Sequence, residues 1–256
     1  MFDIPIKTEK EILIMREGGH ILAHILQLLK MELRIGLDVF ELEEQFIGLC
    51  KKYKVGPACK NYTPSGFPPF PTGLCISVND QSVHCFPVRG NLLKDGDLIT
   101  IDTVIEHKGY FVDSAITEGV GNLNKRDIKL LNTTKKALAK TIQKIKPGIR
   151  TGVLSHTIQK IVEKEGYSVL TEYAGHGIGK SMHEPPEIPC FGFKHEGPRL
   201  KAGMTLAIEP LVCENNNRIK HKNHWVTKTA DGGNFVQFEH TVLVTNSSYE
   251  ILTTEK

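Results

Sequence analysis

A ten-residue segment that occurs twice constrains this chain more than any other feature. Leu93-Lys94-Asp95-Gly96-Asp97-Leu98-Ile99-Thr100-Ile101-Asp102 aligns with Leu200-Lys201-Ala202-Gly203-Met204-Thr205-Leu206-Ala207-Ile208-Glu209, and both copies end on a carboxylate. Downstream, Phe111-Val112-Asp113 and Gln237-Phe238-Glu239 each finish an apolar stretch with an acid. A repeat of this kind predicts two copies of one unit facing each other, a pseudo-twofold α/β domain with a site on its axis.

The surrounding periodicity supports two such units. Thr8-x-x-Glu11 is a capping box followed by Ile12, Met15, Gly19, Leu22, Leu26 and Leu29 at helical spacing, so a helix is expected over residues 9–29. Asp38-x-x-Glu41 reads as a second capping box, opening a helix that carries Leu42, Phe46 and Leu49. Extended segments are expected over residues 74–78, 98–105 and 110–115, the last two joined as a hairpin at Gly109. The second half repeats the order, with helices near 125–145, stopped by Pro147-Gly148, and 153–165, closed by Gly166. Strands are expected near 204–212, 224–229 and 234–245, with Asp231-Gly232 as a turn between the last two.

Composition removes several function classes. At 256 residues and 40% apolar content, one hydrophobic domain is the expectation. Net charge is only +3 and the densest basic stretch is Arg218, Lys220, His221 and Lys222, which reads as a solvated loop before it reads as an RNA contact. The N-terminal Met1-Phe2-Asp3-Ile4-Pro5-Ile6-Lys7 lacks a secretory apolar core, and no stretch is expected to span a membrane. Cysteines at 50, 59, 75, 85, 190 and 213 form no C-x-x-C pair, which fits a reducing cytoplasm.

The acids carry the chemistry. Asp102 lies inside an apolar strand, where an unpaired carboxylate costs several kcal/mol or takes a proton, so a cation is required. For one acid, a partner among Lys108, Arg89 and Lys228 is as good a reading as a metal; for four acids in a repeated frame, metal is favoured. Tyr173-Ala174-Gly175-His176-Gly177-Ile178-Gly179 offers an imidazole between glycines, a weak signal alone. The spacing is wrong for a dinucleotide loop, and His183-Glu184-Pro185-Pro186-Glu187 is not a zincin helix because its prolines forbid one. Four carboxylates and one imidazole suit two divalent ions about 3.5 to 4 Å apart, which activate a water and polarise a carbonyl. Hydrolysis of an acyl bond is the implied reaction.

Taken together, the residues resemble the methionine aminopeptidases, specifically the short bacterial type I form with the pita-bread fold. The specific pieces are Ile76-Ser77-Val78-Asn79 leading to His84, Ile101-Asp102 followed by Asp113, Gly175-His176-Gly177-Ile178-Gly179 with His183, Ile208-Glu209-Pro210, and Phe238-Glu239-His240-Thr241. The resemblance implies a single catalytic domain over residues 1–256, of α/β (α+β) class, with two pseudo-symmetric helix-helix-strand halves around a central antiparallel sheet. It implies that Asp102 chelates one metal, Asp113 and Glu239 bridge, and His176 and Glu209 bind the other, the ions being Co, Mn, Fe or Zn. By the same resemblance Glu209 shuttles the proton, His84 stands near the scissile nitrogen and His183 near the carbonyl oxygen. Cys59, Tyr62, Phe67, Cys75, Met182 and Trp225 would form the methionine pocket.

Two departures from the family pattern bear on that pocket. The segment 64–73 is longer and richer in proline than usual, and Met182 stands where the enterobacterial pattern has phenylalanine. The implied function is removal of the initiator methionine from nascent chains whose second residue is small, by a cytoplasmic monomer, with the ribosome near its exit tunnel as a further candidate partner. The long insertion of the type II enzymes and the N-terminal zinc-binding extension of eukaryotic type I enzymes are not seen. An Xaa-Pro peptidase of the same fold is the enzymatic rival, disfavoured because the first helix begins by residue 9; a metal-free binding module is the non-enzymatic one, opposed by the complete set of acids.

Overall fold

The computed structural model describes residues 3–255. Helix α1, Glu9–Met31, starts at the expected capping box, with the Thr8 hydroxyl accepting from the Glu11 amide and the Glu11 carboxylate accepting from the Thr8 amide. Helix α2, Val39–Tyr53, starts at Asp38 without a box. The two Asp38 oxygens are divided between the amides of Phe40 and Gly90, which ties the helix to a distant loop. Helix α1 is long and apolar enough to cross a membrane by length and composition alone, a test that buried core helices also pass. Its apolar side, with Met15, Leu22, Ile25, Leu26 and Leu29, is buried against protein.

Four strands follow: β1 (Gly56–Pro57), β2 (Cys75–Val78), β3 (Leu98–His107) and β4 (Tyr110–Gly119). β3 and β4 pair over their whole length, from Leu98↔Gly119 to His107↔Tyr110. The expected hairpin therefore exists and is longer than the apolar run suggested. Lys108 and Gly109 both have positive φ, 50° and 83°, as a two-residue turn matching the strand twist requires. β1 and β2 pair along the other edge of β3.

The second half opens with α3 (Lys125–Ile142) and α4 (Thr151–Lys164), and Gly166 closes α4 at φ 87°. Strands β5 (Ser168–Val169), β6 (Ala174–Gly177), β7 (Glu184–Pro189), β8 (Thr205–Ile208) and β9 (Leu211–Cys213) come next. They precede β10 (Ile219–His221), β11 (Thr227–Thr229), β12 (Phe235–Gln237), β13 (His240–Val244) and β14 (Tyr249–Ile251). All pairings of these strands are antiparallel, in the orders β14-β13-β8-β6-β7, β12-β9-β5 and β10-β11.

Two expectations change here. The runs 204–212 and 234–245 are each broken, at Glu209-Pro210 and Phe238-Glu239. The β8–β13 and β9–β12 ladders keep one continuous register across the break, so this is a single long hairpin opened where its carboxylates stand. Pro210 has no N–H to give a ladder. The turn at Asp231-Gly232 is present, with Gly232 at φ 78°, but the strands beside it do not pair with each other: β11 pairs with β10, and β12 with β9.

Each half has its own core. Leu22, Phe46, Ile99, Ile105 and Val112 belong to the first, and Leu130, Leu154, Leu206, Phe235 and Val242 to the second. The halves are joined along β4 and the β12–β13 segment. Glu239 N donates to Ala115 O at 2.9 Å, Ser114 Oγ to Glu239 O at 2.8 Å, and Thr117 Oγ1 to Gln237 O at 2.6 Å. The C-terminal segment then crosses α1, where a Cβ on Gly19 would sit 2.2 Å from Leu252 O.

Gly19→Ala should therefore lower stability by about 1 to 3 kcal/mol through overpacking. Gly48→Ala, in α2 with nothing within 4 Å of the new methyl, should be neutral or gain up to about 1 kcal/mol of helix propensity. Urea unfolding of both variants checks this, and equal shifts would contradict the packing described.

Candidate metal centre

The β3–β4 register decides how the first two acids meet. Asp102 faces Ala115 and Asp113 faces Val104, so the carboxylates are diagonal neighbours on one face of the hairpin. In the second half Ile208 faces His240, so Glu209 and Glu239 stand opposite one another where the ladder opens. His176 is carried on β6, paired with Ala207 of the same sheet. Gly175 and Gly177 flank it because a Cβ at either would lie 2.5 Å or less from backbone oxygen. The glycines around the imidazole are a packing requirement.

Asp113, His176 and Glu239 offer ligand atoms within 4.8 Å of one another. His176 Nε2 lies 3.9 Å from Asp113 Oδ2 and from Glu209 Oε1. Gln237 Nε2 stands 3.4 Å from one oxygen each of Asp102, Glu209 and Glu239, so a single amide is shared among three carboxylates. Asp102, Asp113 and Glu239 are 8%, 5% and 2% exposed. None of the cationic candidates read from the sequence reaches them: Lys108 pairs with Glu17, Arg89 with Glu44 and Lys228 with Asp80.

Electrostatics follow from that geometry. Burial, the largest cause, pushes Asp102 up to about 7, only partly opposed by the Gln237 amide, and pushes Glu209 up to about 8 with help from the Asp102 charge. Asp113 and Glu239 are driven well above the ordinary carboxylate range by burial and by the neighbouring acids. His176 is lowered to about 3, first by burial, and is neutral at pH 7. Its Nδ1 lies 2.8 Å from Gly177 O; a carbonyl can only accept, so Nδ1 carries the proton and Nε2 turns a lone pair on the acids.

The residues fit a divalent cation. Asp113 Oδ1 and Glu239 Oε1 are buried without a hydrogen-bond partner, and the donor set is carboxylate oxygen with one neutral imidazole. They would hold a cation in place of protons.

These groups lie in a cleft of about 1860 Å³ that is also lined by Tyr62, Phe67, His84, His183 and Trp225. Cys59, Cys75 and Met182 are not on its wall but buried in the first-half core, with Cys75 directly across the ladder from Asp102. His84 packs edge-on against Tyr173, and burial together with the His183 charge lowers it to about 4. Tyr62 Oη lies 3.1 Å from His183 Nδ1. Phe67 is at the rim, 41% exposed, with its ring 4.9 Å from Trp225, whereas Phe70 is buried behind that ring at 5.0 Å. Trp225 Nε1 donates to Pro68 O at 3.1 Å, so the proline-rich segment is one wall of the cleft. Gln237 and Phe70 were not singled out from sequence. Gln237 could have been, since it sits two residues before Glu239 and so on its face.

The chain matches the metallopeptidase family M24 model over residues 14–246. It belongs to metallopeptidase family M24. This M24 chain is 42% identical over 248 residues to methionine aminopeptidase 1 of Bacillus subtilis, covering 96% of this chain and 98% of the relative. It superposes on the crystal structure of methionine aminopeptidase from Thermotoga maritima with a TM-score of 0.95 at 38% identity, covering 99% and 100% of the two chains. Prolidase from Pyrococcus furiosus shares the fold alone, at a TM-score of 0.77 and 23% identity over 66% of its length. The M24 architecture is thus the pita-bread fold that the sequence resemblance implied.

Metal removal from this M24 chain should leave a pH signature. The histidines lowered by burial are already neutral in the fold at pH 6.5 and lose their remaining unfolded-state protons above it, a small gain in stability with rising pH that the four acids outweigh. The acids raised to about 7 and 8 are still protonated in the fold but already ionised in the unfolded chain, so stability is lost as pH rises through those values. EDTA-treated protein should melt at a lower temperature at pH 8 than at pH 6.5, and Mn(II) should abolish most of the difference. A pH-independent melting temperature without metal would show that the acids have another counter-charge.

Proposed function

We propose that this chain removes the N-terminal methionine from peptides and nascent proteins whose second residue is small, using two divalent ions, Co, Mn, Fe or Zn. The observation that carries the proposal is the set of three buried carboxylates, the nearly buried Glu209 and a neutral imidazole, with no lysine or arginine paired to them among the described residues, opening on a solvent-accessible cleft. The identity to named methionine aminopeptidases over nearly the whole chain supports the substrate. Both halves supply acids, so the whole chain acts as one catalytic unit.

Asp102, Asp113, His176, Glu209 and Glu239 would hold the metals. Bound divalent ions supply Lewis acidity, activating a water and polarising the scissile carbonyl. Glu209, the acid nearest solvent with a side chain 10% exposed, takes the proton from the water and returns it to the leaving amine. His183 stabilises charge on the carbonyl oxygen by donating through Nε2, which requires Nδ1 to accept; the Tyr62 hydroxyl is the donor that sets this tautomer. His84, neutral near pH 7, accompanies the scissile nitrogen. The methionine thioether packs against Tyr62, Phe67 and Trp225 on the cleft wall, with Cys59, Cys75 and Met182 in the core beside them, where sulfur and aromatic groups give a polarisable environment. The substrates are nascent chains in the cytoplasm near the ribosomal exit, met by a monomeric enzyme.

EDTA-stripped protein should release no methionine from Met-Ala-Ser, and Co(II) or Mn(II) should restore release. Met-Leu-Ser should resist cleavage; equal rates on both peptides would remove the small-residue rule, and cleavage of Ala-Pro in preference to Met-Ala would favour an Xaa-Pro peptidase. Glu209→Gln should lose at least about a hundredfold in turnover, the scale of a missing general base. Turnover near wild type would take that role away from Glu209.

A further inference from the structure

Lys7 is a charged side chain that the proposed mechanism does not use, yet it is almost as buried as the metal-site acids. Its ammonium donates to Glu184 Oε2 at 2.5 Å, and the two side chains are only 5% and 7% exposed. Burying both charges is costly, and their mutual contact is the compensation. The lysine stem reaches this position through a slot opened by Gly179, where a Cβ would lie 2.3 Å from Lys7 Cε and 2.8 Å from Nζ. Its backbone is fastened as well, Lys7 N donating to Gly203 O at 2.8 Å.

The other oxygen of Glu184 explains what the pair holds. Glu184 Oε1 accepts from the amides of Lys180 at 2.7 Å and Ser181 at 3.2 Å. It therefore closes the turn 180–184, and the two residues enclosed between those amides and Glu184 are Met182 and His183. The turn has few other supports. Gly179 N donates to Ser181 O at 3.1 Å, and His183 is fixed at its ring by the 3.1 Å contact with Tyr62 and by the edge-on packing on His176 at 4.5 Å.

We propose that Lys7 is a positioning residue: through Glu184 it sets the turn that places His183 over the scissile carbonyl. It touches no substrate. The N-terminal segment is thus part of the machinery; Ile4 packs on the second-half core, and Asp3 and Ile4 line the cleft beside Glu184. The inference rests on the functional reading given above for His183.

Lys7→Met keeps the unbranched stem as far as Cε and removes the charge. On Met-Ala-Ser with Mn(II), it should lower kcat about tenfold or more while KM changes less than about threefold, because displacement of a reacting group by an ångström is expensive in rate. In a His183→Ala background the same change should cost less than about twofold, since the group being positioned is gone. Equal losses in both backgrounds would overturn the proposal in favour of general destabilisation. Lys7→Met/Glu184→Gln leaves no unpaired buried charge, so it should fold with a melting temperature close to wild type and still show the low kcat; recovery of full kcat would also overturn it. In Zn(II)-loaded protein labelled at histidine Cε1, the His183 NMR signal should shift on Lys7→Met, and an unmoved signal would count against the contact. Wild-type protein that released no methionine with any metal would sink the functional reading instead, while the His183 signal would still report on the Lys7 contact.

Discussion

Four carboxylates gathered around one imidazole, three of them sharing a single amide, are the constraint on which the remaining structure depends. Each ionised acid in such a place costs several kcal/mol, and mutual repulsion adds to the cost. Nothing local could hold Asp102, Asp113, Glu209 and Glu239 together; the scaffold must. For Asp113 and Glu239 it does so by grasping the acids' own backbone groups. The Asp113 amide donates to Thr241 Oγ1 at 2.9 Å, and the Thr241 hydroxyl in turn donates to Asp113 O at 2.8 Å. The Glu239 amide and carbonyl are likewise bound to Ala115 and Ser114. Acids anchored through their own main chain cannot retreat to solvent, so the fold keeps them neutral or meets them with a cation.

The duplicated unit is an economical way to reach that arrangement, because one hairpin with two acids on a face becomes two hairpins back to back. The copies are not alike in detail. The first is an unbroken ladder of ten pairs between β3 and β4, with its acids a diagonal step apart. The second opens at Glu209-Pro210 and Phe238-Glu239 while keeping register on either side. Within that break the Glu239 amide bonds Ala115 across the seam, as Gln237 and Thr241 bond Thr117 and Asp113 on either side of it. The break that interrupts two expected strands is therefore also the joint between the halves.

Where strong local signals exist, the sequence was readable. The Thr8 capping box, the periodic run of α1, the Lys108-Gly109 turn and the repeated acid-ending strands all correspond to structure. What escaped was decided by tertiary packing. Strands β6 and β7 are Ala-Gly-His-Gly and Glu-Pro-Pro-Glu-Ile-Pro, compositions that carry little strand propensity and are extended only because β8 and the core require it. Asp38 looked like half of a reciprocal box, but the Gly90 amide, distant in sequence, takes its second oxygen. The acids and histidines were legible as residues; their shared donor Gln237, the buried Phe70 behind Trp225 and the Lys7–Glu184 pair depend on contacts between segments far apart in the chain.

The symmetry ends at the carboxylates, and that is what gives the cleft a direction. The first half supplies Cys59, Tyr62, Phe67 and Cys75, and the turn 180–184 from the second half adds Met182 to the same core, so one side of the metal-site acids is apolar and rich in sulfur. The second half supplies His176 and His183, neither of which has a counterpart in the repeated frame, so the other side can accept or donate hydrogen bonds. A peptide whose first side chain is an unbranched thioether can fill the apolar side while its first carbonyl meets the polar one. The duplication accounts for the acids; the divergence of everything around them orients the substrate.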